Sequence, residues 1–161
     1  MRLLLALPLL AACDGLWSPP TIDGLPAAED PDIQYIEWMT LPPTGASAAL
    51  VQQIIGDSDR RPVAFVGATW CGSCKAYKAT LETEQMKSVH ANVQILELDL
   101  DAHRALLAEM SIRPAGVPHW ESLTDTGQSS GVRLDGRAWD TDTLDAMTPP
   151  LTAFFQALPD S

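Results

Sequence analysis

Basic residues are scarce in this chain: 10 Lys and Arg stand against 21 Asp and Glu, a formal net charge of −11 at pH 7. Nucleic-acid binding draws on clustered Lys and Arg, so this balance argues against a nucleic-acid partner. Beyond that it implies solubility and repulsion of anionic surfaces. Cysteine is sparse too, with three residues, too few for a disulfide scaffold. There is no second Cys-x-x-Cys and no His pair to complete a four-ligand metal set, and no internal repeat is visible. What remains is ordinary globular material: 161 residues, 46% of them hydrophobic, enough for one cored domain with additions.

The first of the additions is N-terminal. Met1-Arg2 is a minimal positive segment, followed by the apolar run Leu3 to Leu10, interrupted by Pro8 and too short to cross a bilayer. It closes on Leu10-Ala11-Ala12-Cys13, which resembles the lipobox of bacterial lipoproteins. That resemblance implies a lipid on Cys13, removal of residues 1–12 and a protein held on the periplasmic side of a bacterial membrane, in an oxidising compartment. Asp14 resembles an inner-membrane retention signal. The alternative is an ordinary secretory leader with a cysteine near its cut. Residues 13–32 carry Pro19, Pro20, Pro26 and Pro31 among acidic residues and read as an extended tether; Trp17 within it either dips into the lipid interface or packs on the domain.

The remaining two cysteines sit where the sequence changes character. Val63 to Val66 is an apolar run short enough for a buried strand, Gly67-Ala68-Thr69 breaks it, and Cys71-Gly72-Ser73-Cys74 precedes helix-compatible sequence from Lys75 to Leu81. A Cys-x-x-Cys between strand and helix puts its first sulfur near unpaired helix N-terminal amides, which favour a thiolate. Lys75 adds positive charge beside it. The second sulfur lies one turn on, in reach of a mixed disulfide formed by the first. Cys71 is therefore the expected nucleophile and Cys74 the more buried resolving thiol. A static disulfide is the bland alternative. A half metal site for copper or zinc, Cys71 and Cys74 with His119, is a third reading.

Around this centre the pattern predicts strands over 33–39, 62–66 and 93–100, and helices over 46–55, 75–81, 84–90 and 102–110. Thr83 is the expected cap of the 84–90 helix. A turn at Asp125-Thr126-Gly127 separates a strand after Trp120 from one over 131–134. Thr148-Pro149 reads as a helix start, with Leu151, Phe154, Phe155 and Leu158 as its apolar stripe. The domain is expected to span 33–161, an α/β fold with a central mixed β-sheet flanked by helices on both faces. His90 and His103 are expected on exposed helix surfaces, and Trp120 and Trp139 in the core or at the rim.

Trp70-Cys71-Gly72-Ser73-Cys74-Lys75 together with Val117-Pro118 resembles the thioredoxin superfamily over roughly residues 33–158. Within it, Cys74-Lys75-Ala76-Tyr77-Lys78-Ala79-Thr80-Leu81 and the Glu84 to Val89 segment are most similar to the C-terminal periplasmic domain of DsbD-type thiol-disulfide interchange proteins. The resemblance implies a thioredoxin-like fold, a cis-proline at Pro118 lying against the redox pair, and substrate contacts from Trp70, Val117, Pro118 and His119. It also implies protein thiol or disulfide substrates and a membrane electron donor of the DsbD type. No cofactor is called for beyond the redox-active disulfide Cys71–Cys74. With no histidine between the cysteines, the pair leans towards a reductant or interchange role.

Three positions depart from that family. Its buried acid six residues before the first cysteine is Phe65 here, which puts the usual proton relay in doubt; Glu97 or Asp99 on the neighbouring strand could substitute, but each is expected to be a solvent-facing charge. Its helix proline is Ala79. His119 replaces a small or polar residue after the cis-proline.

Overall fold

The computed structural model describes residues 36–159, all within the unit Asp32–Ser161. The leader, Cys13, Asp14, Trp17 and the expected strand residues Ile33 to Tyr35 lie outside the described residues.

Five strands form one mixed sheet: β1 Glu37–Thr40, β2 Arg61–Gly67, β3 Val93–Asp99, β4 His119–Leu123 and β5 Ser129–Asp135, in the order β1-β3-β2-β4-β5. The first three run parallel, and β4 and β5 are antiparallel to their neighbours. The two central strands explain their own sequences. Val63 and Phe65 of β2 face one layer while Ala64 and Val66 face the other, and all four are fully buried. A parallel strand covered on both sides has to be apolar at nearly every position.

One layer is α2 Gly72–Thr80, α3 Glu84–Val89 and α5 Leu144–Gln156; the other is α1 Ala48–Gly56 and α4 Arg104–Glu109. Ser47 caps α1 and Thr83 caps α3, each accepting from the amide three residues on. The Asp125-Thr126-Gly127 turn forms as expected. Gly127 has φ +77°, and a Cβ there would come within 2.9 Å of Val51 Cγ1, so both conformation and space demand glycine.

The last helix is longer than the sequence predicts. It starts at Leu144, capped by Thr143, and Pro149 and Pro150 lie inside it. Neither proline can donate to the carbonyl four residues back, the usual reason to end a helix there. Here Met147, Leu151, Phe154 and Phe155 are all buried on the sheet. At about 1.5–3 kcal/mol per buried side chain, that stripe outweighs the loss of two hydrogen bonds at Pro149, which is exposed, and Pro150, which is half-buried.

Two histidines expected on the surface are buried instead. His90 Nε2 faces the Tyr77 hydroxyl at 2.5 Å and its Nδ1 faces Met86 O at 2.7 Å. Trp120 Nε1 donates to that same hydroxyl, so the hydroxyl proton goes to His90 Nε2 and Nδ1 carries the ring proton. Burial lowers the His90 pKa from 6.5 to about 4, against a smaller upward pull from the Met86 carbonyl. His103 precedes α4, where its Nδ1 accepts from the Asp99 amide and Nε2 donates to Pro42 O. Both rings are buried because partners from other segments, the Tyr77 hydroxyl for His90 and Pro42 O for His103, satisfy their nitrogens.

Candidate active site

The redox motif lies where β2 ends and α2 begins. Cys71 is the cap residue of α2: its backbone is extended, its N–H donates to Ala68 O at 3.0 Å, and its Sγ accepts from the Cys74 N–H at 3.1 Å. Glycine at the next position and no β-branched residue in the first turn let the helix start directly on the cysteine. Cys71 and Cys74 are joined in a disulfide, with Cα atoms 5.3 Å apart. Cys71 keeps 5% of its surface and Cys74 2%. The open side is lined by Thr69, Trp70 and Gly72, all exposed. On reduction the Cys71 sulfur is left facing amide protons at a helix N-terminus, the environment that favours a thiolate.

Trp70 stands out from the surface with 64% exposure, its Nε1 donating to Asp101 Oδ2 at 2.9 Å. Lys75 is exposed on the first turn of α2. The Val117–Pro118 bond is cis, Val117 half-buried and Pro118 buried. Gly136 donates to Pro118 O at 2.9 Å, and a Cβ on it would come within 2.8 Å of Pro118 Cδ. Val117, Pro118 and Gly136, with Ser73, Asp135 and Arg137, line a groove of about 190 Å³ beside the cysteine loop. Asp135 is held below the usual aspartate range, first by its hydrogen bonds with Arg137.

His119, expected at the rim, is 2% exposed and lies in register with Val66. Strand alternation turns it to the α1/α4 face, away from the face that holds Cys74, Phe65 and Trp120. Its Nε2 is 2.8 Å from Glu121 Oε2, and Glu121 also accepts from the Ser129 hydroxyl. Burial pulls the Glu121 pKa upward, but His119 and Ser129 bonding outweighs it and the net shift is down. His119 therefore does not join the two cysteines at a common point. Among the described residues no three of His, Cys, Asp and Glu could hold a metal ion together.

A thioredoxin family model matches residues 46–139. The chain belongs to the thioredoxin family. No curated protein matches it. Among solved structures it is similar to a point mutant of the thioredoxin from Halobacterium salinarum (21% identity, 76% of this chain and 95% of that one, TM-score 0.49). It is also similar to the oxidised thioredoxin from Plasmodium falciparum (18%, 75% and 95%, TM-score 0.49) and to a disulphide isomerase from Xylella fastidiosa (15%, 70% and 92%, TM-score 0.48).

In this chain the position of the missing acid is filled by aromatic packing. Phe65 has no exposed surface, and its ring lies 5.2–5.3 Å from those of Trp38, Tyr77 and Trp120. Glu97, its register partner on β3, is not the solvated charge that an isolated strand acid suggests. Its Oε1 accepts from Lys78 Nζ at 2.7 Å, and its Oε2 from Thr40 Oγ1 at 2.8 Å and Trp38 Nε1 at 3.0 Å. Burial pushes the Glu97 pKa up, but these donors outweigh it and hold the carboxyl below the usual glutamate range. Lys78 is its ion-pair partner. Glu97, Lys78, Asp99, Gly67 and Cys74 line one cavity of about 110 Å³, room for a few waters. This connection was half legible: the strand acids were visible as candidates, but the three donors come from β1 and α2, far away in sequence.

Proposed function

We propose that this protein is an extracytoplasmic thiol-disulfide oxidoreductase acting as a reductase or interchange catalyst. One observation carries the reading: Cys71 caps α2 with its sulfur on the helix amides, and Cys74 is already bonded to it one turn on. In the reducing direction the Cys71 thiolate attacks a substrate disulfide, a mixed disulfide forms, and the first substrate sulfur leaves as a thiolate that takes up a proton. Cys74 then loses its proton and attacks Cys71 Sγ. The intramolecular disulfide forms, and the second substrate thiol departs. The substrate gains two electrons and two protons, and a dithiol donor, of the DsbD type in this reading, returns them to the protein. The groove lined by Val117 and Pro118 takes the extended chain beside the substrate cysteine, and the exposed Trp70 is a further contact.

The proton from Cys74 is handled through the cavity that also holds Glu97 and Lys78. Glu97→Gln keeps the size and most of the hydrogen bonding. It is expected to slow resolution of a mixed disulfide about tenfold at neutral pH, below the range for a fully placed general base, while Cys71 alkylation is unchanged. Equal slowing of both steps would remove Glu97 from this role.

The protein works from a membrane, tethered through a lipid on Cys13. What supports the tether is the sequence Leu10-Ala11-Ala12-Cys13, which resembles the lipobox of bacterial lipoproteins. Expression of the full chain tests both parts. The wild type should reduce insulin with dithiothreitol as donor and fractionate with membranes, and Cys13→Ser should move it to the soluble fraction with turnover intact. Turnover no faster than dithiothreitol alone, or a membrane fraction unaffected by Cys13→Ser, would overturn the corresponding part.

A further inference from the structure

The segment between β5 and α5 reaches back to the redox loop. Asp142, just before the Thr143 cap of α5, accepts through Oδ2 from the Ser73 hydroxyl at 2.7 Å and through Oδ1 from Trp139 Nε1 at 3.1 Å. Trp139 packs edge-on against the buried Trp120, ring centroids 5.5 Å apart, so the carboxylate is fixed to the core on one side and to the Cys-Gly-Ser-Cys loop on the other. Ser73 is the second residue of α2. A carboxylate there is drawn to the same helix N-terminal amides that favour the Cys71 thiolate.

We infer that Asp142 is a positioning residue that sets the reduction potential of the Cys71–Cys74 pair, holding it on the reducing side. The disulfide is neutral and the reduced pair carries an anion on Cys71, so a fixed negative charge at the head of α2 raises the free energy of the reduced state more than that of the oxidised one. It opposes the amide protons without cancelling them. The other charges near the loop balance closely. Lys75 on α2 and Asp99 line the same cavity as Cys74, Asp101 is bonded to Trp70 and paired with Arg104, Asp135 is paired with Arg137 at the groove, and Lys78 is paired with Glu97 behind Cys74. Asp142 is the carboxylate that bonds directly to Ser73, one of the two residues between the cysteines.

The inference rests on the oxidoreductase reading, and its test separates the two. Asp142→Asn keeps an acceptor for Ser73 and removes the charge; Ser73→Ala removes the bond and keeps the charge. Each full-length protein is equilibrated with glutathione redox buffers, and Cys71 alkylation is followed against pH. Asp142→Asn should raise the Cys71 thiolate fraction at neutral pH about threefold and shift the exchange equilibrium about threefold towards the dithiol, about 14 mV less negative for a two-electron couple. The shift should shrink with added salt, and Ser73→Ala should show less than half of it. An Asp142→Asn protein identical to wild type in both readouts, or a Ser73→Ala protein shifted as far, would overturn the role of Asp142. Failure of the wild type to exchange with glutathione would instead overturn the oxidoreductase reading, and the alkylation profiles would still decide for or against Asp142.

Discussion

Cys71→Ser is expected to abolish insulin reduction, a loss of at least about a thousandfold, because no other thiol among the described residues is placed to attack. Cys74→Ser is expected to lose turnover to a similar extent for a different reason. Its Cys71 still attacks, but nothing then expels the substrate, so the protein accumulates as a mixed disulfide that a non-reducing gel or intact mass reveals. The asymmetry follows from the geometry. Cys71 sits at the head of α2 beside the exposed Thr69, Trp70 and Gly72, whereas Cys74 faces inward to Gly67 and Phe65. Trapping by Cys71 in the Cys74→Ser protein, with none by Cys74 in the Cys71→Ser protein, is the expected pattern; the reverse would exchange the two roles.

Acid should destabilise the fold through His90. Its native pKa of about 4 lies below the ordinary 6.5, so between those values the unfolded chain binds a proton that the native protein does not. Stability therefore rises with pH across that window, and it is lost as pH falls from about 6.5 towards about 4. The gap corresponds to about 3 kcal/mol, a large share of a typical domain's stability. Glu97 and Glu121, both held below their ordinary range, add losses at lower pH, where their carboxylates protonate. Urea unfolding at neutral pH and near pH 4.5 should show a steeper loss for the wild type than for His90→Gln, which removes the titrating ring whatever its own cost in stability. Parallel losses would mean that His90 is not held neutral.

The sequence made the central strands and the redox pair plain because each is a local signal: an apolar run, a break, two cysteines at helical spacing; α2 itself starts at Gly72, three residues before the expected Lys75. The Thr83 cap and the Asp125 to Gly127 turn were legible for the same reason. What failed to show was set by contacts between distant segments. Thr148-Pro149 looks like a helix start when read locally and becomes helix interior because Met147 and Leu151 bury together. His90 and His103 look like surface residues until Tyr77, Met86 and Pro42 are brought to them. His119 follows the cis-proline and so reads as a rim residue, yet strand alternation turns it to the opposite face. Asp142 carried no signal at all, since its bond to Ser73 spans most of the domain's sequence.

The account stands on the acidity of one thiol. In the reduced full-length protein, the rate of Cys71 alkylation followed against pH should give a midpoint clearly below that of an ordinary cysteine, near 8.5. A midpoint at or above the ordinary value would leave the sulfur at the head of α2 without the ionisation that every step proposed for it requires.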